Sequence, residues 1–308
     1  MHIGLVGLGK MGANMRTRIR AAGIEVTGYD RNPDVTDVPS LEALVEALPA
    51  GERVVWVMVP SGVITDGVVT ELAGLLTRGD ILIDGGNSYY QDDQKHADVL
   101  AQTGVDFLDA GVSGGVWGLE NGYGLMVGGD AAVVAKVMPV FDALRPEGPR
   151  EEGFVHAGTV GAGHFAKMVH NGIEYGLMQS YAEGYELLAA KDLVTDVHGT
   201  MRAWQRGTVV RSWLLELLVK ALGQDGPGRD RRLGRGLRRG SVDRRRGDRP
   251  GRAGTGDLGG PVRAVPVPPG GVPGDEGRRG AASAVRRARG QAGGHHGPVT
   301  GTPPSQSL

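Results

Sequence analysis

Gly7-Leu8-Gly9-Lys10-Met11-Gly12 stands directly after a short apolar run, HIGLV at 2–6, and directly before a stretch with helical spacing at 10–22. A G-x-G-x-x-G in that setting restricts a chain to few folds. The first glycine permits a tight turn, the second lets a pyrophosphate approach the backbone, and the third lets the helix pack on the strand. The helix N-terminus then stabilises the anion. The loop predicts a strand-to-helix turn that cradles a dinucleotide with Gly7, Gly9, Lys10, Met11 and Gly12.

The residues that follow keep this rhythm. EVTGY at 25–29 reads as a second strand, and RVVWVMV at 53–59 is a continuous apolar run of the kind buried on both faces of a parallel sheet. ILID at 81–84 and DFLD at 106–109 are further strands, with helical patterns at 65–76 and 91–102 between them, and 124–127 and 153–156 are the last strand candidates. Alternation of this type predicts an α/β fold, a doubly wound parallel sheet of the Rossmann kind, over residues 1–160. From Gly161 the pattern is helix only, at 164–190, 197–204 and 212–222. Residues 161–223 therefore read as the start of an all-helical domain that is cut short.

Asp30 closes the second strand. A carboxylate there accepts the ribose hydroxyls and repels a 2′-phosphate, which favours NAD over NADP. Arg31 points the other way, since a guanidinium pairs with a 2′-phosphate or stacks on adenine. Both residues also suit a solvated turn. NAD is the expected cofactor and NADP the alternative, with no metal.

The stretch His164-Phe165-Ala166-Lys167-Met168-Val169-His170-Asn171-Gly172-Ile173-Glu174-Tyr175 carries the chemistry. At 100° per residue Lys167, Asn171 and Glu174 share one helical face, with Lys167 and Glu174 about 10 Å apart along the axis. An amine and a carboxylate two turns apart can bracket a small substrate and handle protons at its two ends. An exposed polar stripe is the bland alternative. Gly161-Ala162-Gly163 just before it favours a site, because small residues let a helix start press against another element.

GLVGLGKMG at 4–12, Val59-Pro60-Ser61-Gly62, Asp84-Gly85-Gly86-Asn87-Ser88, Asp109-Ala110-Gly111-Val112-Ser113-Gly114-Gly115 and KMVHNGIEY at 167–175 together resemble 6-phosphogluconate dehydrogenases (decarboxylating) of the shorter bacterial type. The resemblance covers residues 1 to about 223, ending with RGTVVRSWLL at 206–215. It implies the conversion of 6-phosphogluconate to ribulose 5-phosphate and CO2 with reduction of NAD(P). Lys167 would take the proton of the 3-hydroxyl and later protonate the carbonyl oxygen as CO2 leaves, and Glu174 would protonate C1 of the enediol. Such a lysine must be neutral when substrate is bound, so burial or nearby positive charge must lower its pKa. The resemblance also implies that Asn87, Ser113, Gly114, Gly115, His170 and Asn171 hold the sugar acid and that Tyr175 and Arg211 hold its phosphate. Val59, Pro60 and Asn87 join the cofactor contacts, and a cytoplasmic homodimer or higher homo-oligomer is expected.

Composition divides the chain. Residues 226–308 hold 17 Arg and no Lys against six acidic residues, with 21 Gly and 10 Pro, and they lack Phe, Tyr, Trp, Met, Ile and Asn. Such a segment cannot bury enough apolar surface to offset its ordering entropy, so residues 224–308 are expected to be disordered. The absent residue types include those with AT-rich codons, so a shifted reading frame in a GC-rich gene is preferred over a basic nucleic-acid-binding arm or a linker. Gly293-Gly294-His295 matches the closing element of the family in form but lacks its aromatic neighbour. The whole chain has no Cys, which excludes disulfides and thiolate metal sites, and no apolar run long enough to span a membrane. Two other functions stay open: another β-hydroxyacid dehydrogenase, acting on 3-hydroxyisobutyrate or tartronate semialdehyde, and an inactive nucleotide-binding remnant with a basic tail.

Overall fold

A computed structural model describes residues 1–224 of the protein. Gln224, the first residue of the segment expected to be disordered, ends α9, and the rest of that segment, 225–308 with the glycine-glycine-histidine element at 293–295, lies outside the described residues. Strands and helices alternate from the start: β1 (His2–Val6), α1 (Lys10–Ala21), β2 (Glu25–Tyr29), α2 (Leu41–Ala47), β3 (Val54–Val57), α3 (Val63–Leu75), β4 (Ile81–Asp84) and α4 (Tyr90–Ala101). Then come β5 (Asp106–Ser113), the short α5 (Gly118–Asn121), β6 (Gly124–Gly128), α6 (Ala131–Leu144) and β7 (Phe154–Gly158). Three helices follow, α7 (Ala162–Ala189), α8 (Val197–Ala203) and α9 (Trp213–Gln224).

The seven strands form one sheet in the order β2-β1-β3-β4-β5-β6-β7. The order reverses direction between β1 and β3, and a doubly wound sheet opens a crevice at the carboxyl ends of its strands there. One expectation needs correcting: the sheet is not wholly parallel, because β6 pairs with β5 antiparallel. The link of about ten residues between them is too short for a parallel crossover, which takes a dozen or more. α6 then crosses over to β7, which is parallel to β6.

Strand side chains alternate between two cores. Val54 and Trp56 of β3 and Ile81 and Ile83 of β4 pack into one cluster with Ile3, Met15, Ile19 and Phe141. Val55, Val57 and Leu82 pack into the other with Leu44, Leu72 and Leu100. Period-2 alternation with both faces apolar is what a buried parallel strand requires. Trp56 is fully buried and meets Phe141 edge-on at 5.8 Å. Burying such a ring is worth about 3 kcal/mol.

α7 is 28 residues long, about 42 Å. Its first turns press on β5 and β6, and its far end joins α8 and α9 in a small third core of Tyr185, Met201, Leu215, Val219 and Leu222. Among the described residues no helix is long and apolar enough to cross a membrane.

Candidate active site

The glycine loop has the shape its sequence predicts. Gly7 sits at φ 91°, where a side chain would be strained and would approach the Met58 carbonyl oxygen to 2.5 Å. A Cβ on Gly12 would fall on the Gly7 carbonyl oxygen, so the third glycine lets α1 close onto β1. A Cβ on Gly9 would meet nothing within 4 Å, and Gly9 caps α1 with no side-chain hydrogen bond. The open backbone and the helix N-terminus face a cavity of about 1520 Å³. That is a fit for a dinucleotide pyrophosphate. Asp30 lines the same cavity, with Oδ2 accepting from the Leu8 N–H at 2.6 Å and Oδ1 from the Asn32 N–H at 2.9 Å. Arg31, Val59 and Pro60 line it too.

The opposite wall comes from the ends of β4 and β5. Buried Asp84 shapes the first of these, accepting from the Gly86 N–H at 2.9 Å and the Ser88 hydroxyl at 2.7 Å. Asn87 projects from that loop, and its Oδ1 accepts from Asn171 Nδ2 at 3.2 Å. Ser113, Gly114 and Gly115 follow from β5, with Gly114 at φ 134° and Gly115 at φ 53°.

α7 supplies the polar centre. Lys167 Nζ lies 3.4 Å from His170 Nδ1, and Ser113 Oγ lies 3.4 Å from His170 Nε2. With Nδ1 accepting from the lysine, Nε2 carries the proton and donates to Ser113. The same Nδ1 is 3.7 Å from Glu174 Oε2, so one imidazole stands between amine and carboxylate. Half-buried Lys167 has a pKa held below the ordinary lysine value by desolvation, with the Glu174 charge acting against that. Asn171, Glu174 and Tyr175 all line the cavity, and Tyr175 is 69% exposed.

Residues 2–146 match the NAD binding domain of 6-phosphogluconate dehydrogenase, and residues 163–257 match the 6-phosphogluconate dehydrogenase C-terminal domain. The NAD(+)-dependent, decarboxylating 6-phosphogluconate dehydrogenase of Haloferax volcanii is 39% identical over 235 residues, 73% of this chain and 76% of the relative. The chain belongs to the 6-phosphogluconate dehydrogenase family. The solved Plasmodium falciparum 6-phosphogluconate dehydrogenase superposes with a TM-score of 0.65 at 28% identity, covering 71% of this chain and 50% of that one. A 3-hydroxyisobutyrate dehydrogenase from Mycobacterium tuberculosis gives 0.59 at 26% identity, covering 69% and 72%. Bacillus subtilis relatives are named both NAD(+)-dependent and NADP(+)-dependent. The chain therefore has an NAD(P)-binding domain, and the second match runs beyond Gly223.

Of the residues singled out from the sequence, all but Arg211 line this cavity. Arg211 is exposed on the α8–α9 link, beside Val210 and Ser212, which both hydrogen-bond the Tyr181 hydroxyl. Sequence reasoning gave no site role to Trp213, Leu214 and Leu217 of α9 or to Trp117 after β5, which also line the cavity. It also gave no role to buried His164, whose Nδ1 meets both Asp93 carboxylate oxygens at 2.8 and 2.9 Å. Burial pushes the Asp93 carboxyl up to about 6, with His164 drawing it back down. Burial opposes a charge on His164, yet the hydrogen bond and charge of Asp93 outweigh it and hold the imidazolium pKa at about 9.

Proposed function

We propose that the protein oxidatively decarboxylates 6-phosphogluconate to ribulose 5-phosphate and CO2 with reduction of NAD(P). One observation carries this reading: Lys167, His170, Asn171 and Glu174 of a single helix converge with Asn87 and Ser113 on the cavity that the glycine loop opens into.

Gly7, Gly9, Lys10, Met11 and Gly12 would hold the pyrophosphate, Asp30 and Arg31 the adenosine end, and Val59, Pro60 and Asn87 the remainder. A bound nicotinamide dinucleotide supplies the acceptor for the hydrogen and electron pair that leave C3. Lys167, whose pKa burial lowers from the ordinary lysine value, accepts the proton of the 3-hydroxyl in its neutral form. As the C1–C2 bond breaks and CO2 departs, the same lysine returns that proton to the C3 oxygen. Glu174 donates a proton to the enediol carbon that was C2 of 6-phosphogluconate, which becomes C1 of ribulose 5-phosphate. Ser113, Gly114, Gly115, His170, Asn171 and Asn87 bind the carboxylate and hydroxyls. Tyr175 contacts the phosphate, and Arg211 is its proposed second contact.

The Asp30 carboxylate favours NAD, because two backbone hydrogen bonds fix it in the cavity wall after β2, where a carboxylate repels a 2′-phosphate. We assign residues 1–160 to dinucleotide binding and 161–223 to the substrate and dimerisation domain, in a homo-oligomer of the cytoplasm.

The position of Arg211 outside the cavity lining favours one second reading, an unphosphorylated β-hydroxyacid substrate such as 3-hydroxyisobutyrate. Incubation with NAD+ and either acid separates the two. NADH formed with stoichiometric CO2 from 6-phosphogluconate supports the first, and NADH without CO2 from 3-hydroxyisobutyrate supports the second.

A further inference from the structure

Gly161, the N-cap residue of α7, has no side chain to satisfy the first-turn N–H groups, and it sits in the left-handed region at φ 89°. Free N–H groups at a buried helix start are costly. Asp109 of β5, more than fifty residues earlier, supplies the acceptors instead. Its Oδ1 accepts from the Gly161 N–H at 2.6 Å and its Oδ2 from the His164 N–H at 2.8 Å, and the side chain is fully buried. The His164 N–H is the one that an N-cap aspartate would ordinarily bind, so a strand residue performs the cap.

Asp109, Gly111 and Ser113 are alternate residues of one strand and point to one face of the sheet. Each meets α7 one step further along. Asp109 takes Gly161 and His164, and Ser113 reaches His170. Between them, a Cβ on Gly111 would come within 2.5 Å of Lys167 Cβ, so only glycine leaves the lysine its seat. Four strand residues span about 13 Å and nine helical residues about 13.5 Å, so strand and helix run in step from Gly161 to His170. Gly163 allows the close approach, since a Cβ there would overlap the Met126 carbonyl oxygen. Asp93 of α4 clamps the same turn through the His164 ring.

We infer that Asp109 is a positioning residue for Lys167: by capping α7 from β5 it fixes the rotation and depth at which the helix presents the reacting amine. The inference rests on the proposed role of Lys167 as proton acceptor. A cap lost from an exposed helix end frays one turn, whereas here the lysine lies on the second turn and a shift of about 1 Å misaligns the reacting atoms.

The test compares wild type with Asp109→Asn, which keeps the shape but replaces one acceptor oxygen by a donor. Four quantities are read on the full chain: kcat and KM for 6-phosphogluconate, the Kd for NADH by fluorescence, and the rate at which trinitrobenzenesulfonate modifies Lys167 at pH 7.5, located by peptide mass. The expected result is a kcat lowered at least 30-fold, KM and Kd within threefold, and Lys167 labelling slowed at least fivefold, because burial lowers the Lys167 pKa and an amine displaced from its seat holds its proton more strongly. Unchanged kcat with unchanged labelling overturns the inference. So does a kcat loss matched by an equal loss of NADH affinity, which indicates general collapse. If Asp109→Asn does not fold, Asp109→Ser decides by the same criteria, since it keeps one small acceptor but cannot meet both the Gly161 and His164 N–H groups. If wild type releases no CO2 from 6-phosphogluconate, the substrate reading fails, and the labelling rates still decide the role of Asp109.

Discussion

Asn171 on α7 donates to Asn87 on the loop after β4 at 3.2 Å, a hydrogen bond that joins the helix to the carboxyl end of the central strand at the cavity wall. Neutral pairs of this kind contribute about 1 kcal/mol, so the bond is not what holds the two elements together. Its consequence is orientation of both amides toward the space between the glycine loop and Lys167. Asn171→Ala should raise KM for 6-phosphogluconate about tenfold while leaving the Kd for NADH within twofold. Asn87→Ala should weaken both, since Asn87 is assigned to both ligands in the proposed reaction. Steady-state kinetics and a fluorescence titration on the two variants check this.

The proposed reaction makes Lys167 the acceptor of the 3-hydroxyl proton. Lys167→Met keeps the length and apolar stem but removes the amine, and the rate of NADH formation should fall at least 10³-fold with cofactor affinity retained. The sign of its titration is also fixed. Burial lowers the lysine pKa and the Glu174 charge raises it. Glu174→Gln should therefore move the onset of Lys167 labelling to lower pH. A shift to higher pH would contradict the geometry.

Much of this arrangement was legible in the sequence because its signals are local. The loop at 7–12, the apolar run around 54–57 and the polar face of 167–174 each announce themselves within one or two turns. β5 was read only as far as Asp109, because Gly111 and the glycines after Ser113 look like loop. Continued to Ser113, it places 109, 111 and 113 on one face. α6 escaped notice since Pro139 lies inside it and its valine-rich pattern suits strand as well as helix, and only the cap from Asp130 to Ala132 and Val133 marks its start. The pairs Asp109–His164 and Asp93–His164 join residues 55 and 71 apart. No periodicity in one sequence reveals such contacts, and neither does it reveal that Arg211 lies outside the cavity.

The proposed preference for NAD is tested at Asp30. Both its oxygens are held by backbone N–H groups, so the charge cannot swing away from an incoming phosphate. The kcat/KM ratio for NAD over NADP should exceed one in the wild type and fall by about tenfold or more in Asp30→Ala, with most of the change in the NADP value. Arg31→Ala should move the ratio the other way, because Arg31 is the cation at that end of the cavity.

Stability should fall as pH rises through the window of His164. Its pKa in the folded protein, about 9, lies above the ordinary 6.5 because the Asp93 hydrogen bond and charge outweigh the burial that opposes protonation. A raised folded-state pKa means the native protein holds a proton that the unfolded chain has released. The stabilisation is therefore complete below about pH 6.5 and is lost as pH climbs through about 9. Asp93, raised to about 6 by its burial, acts with the same sign at lower pH. The thermal midpoint should drop by about 5 °C between pH 6.5 and 9.5 from this ion pair. His164→Asn, which keeps a donor near the Nδ1 position but cannot titrate, should flatten that dependence, and His164→Leu should lower the midpoint at every pH by leaving Asp93 buried without a partner. Calorimetry of the three proteins across the range measures both effects, and an identical slope in wild type and His164→Asn would show that His164 does not carry a proton in the fold.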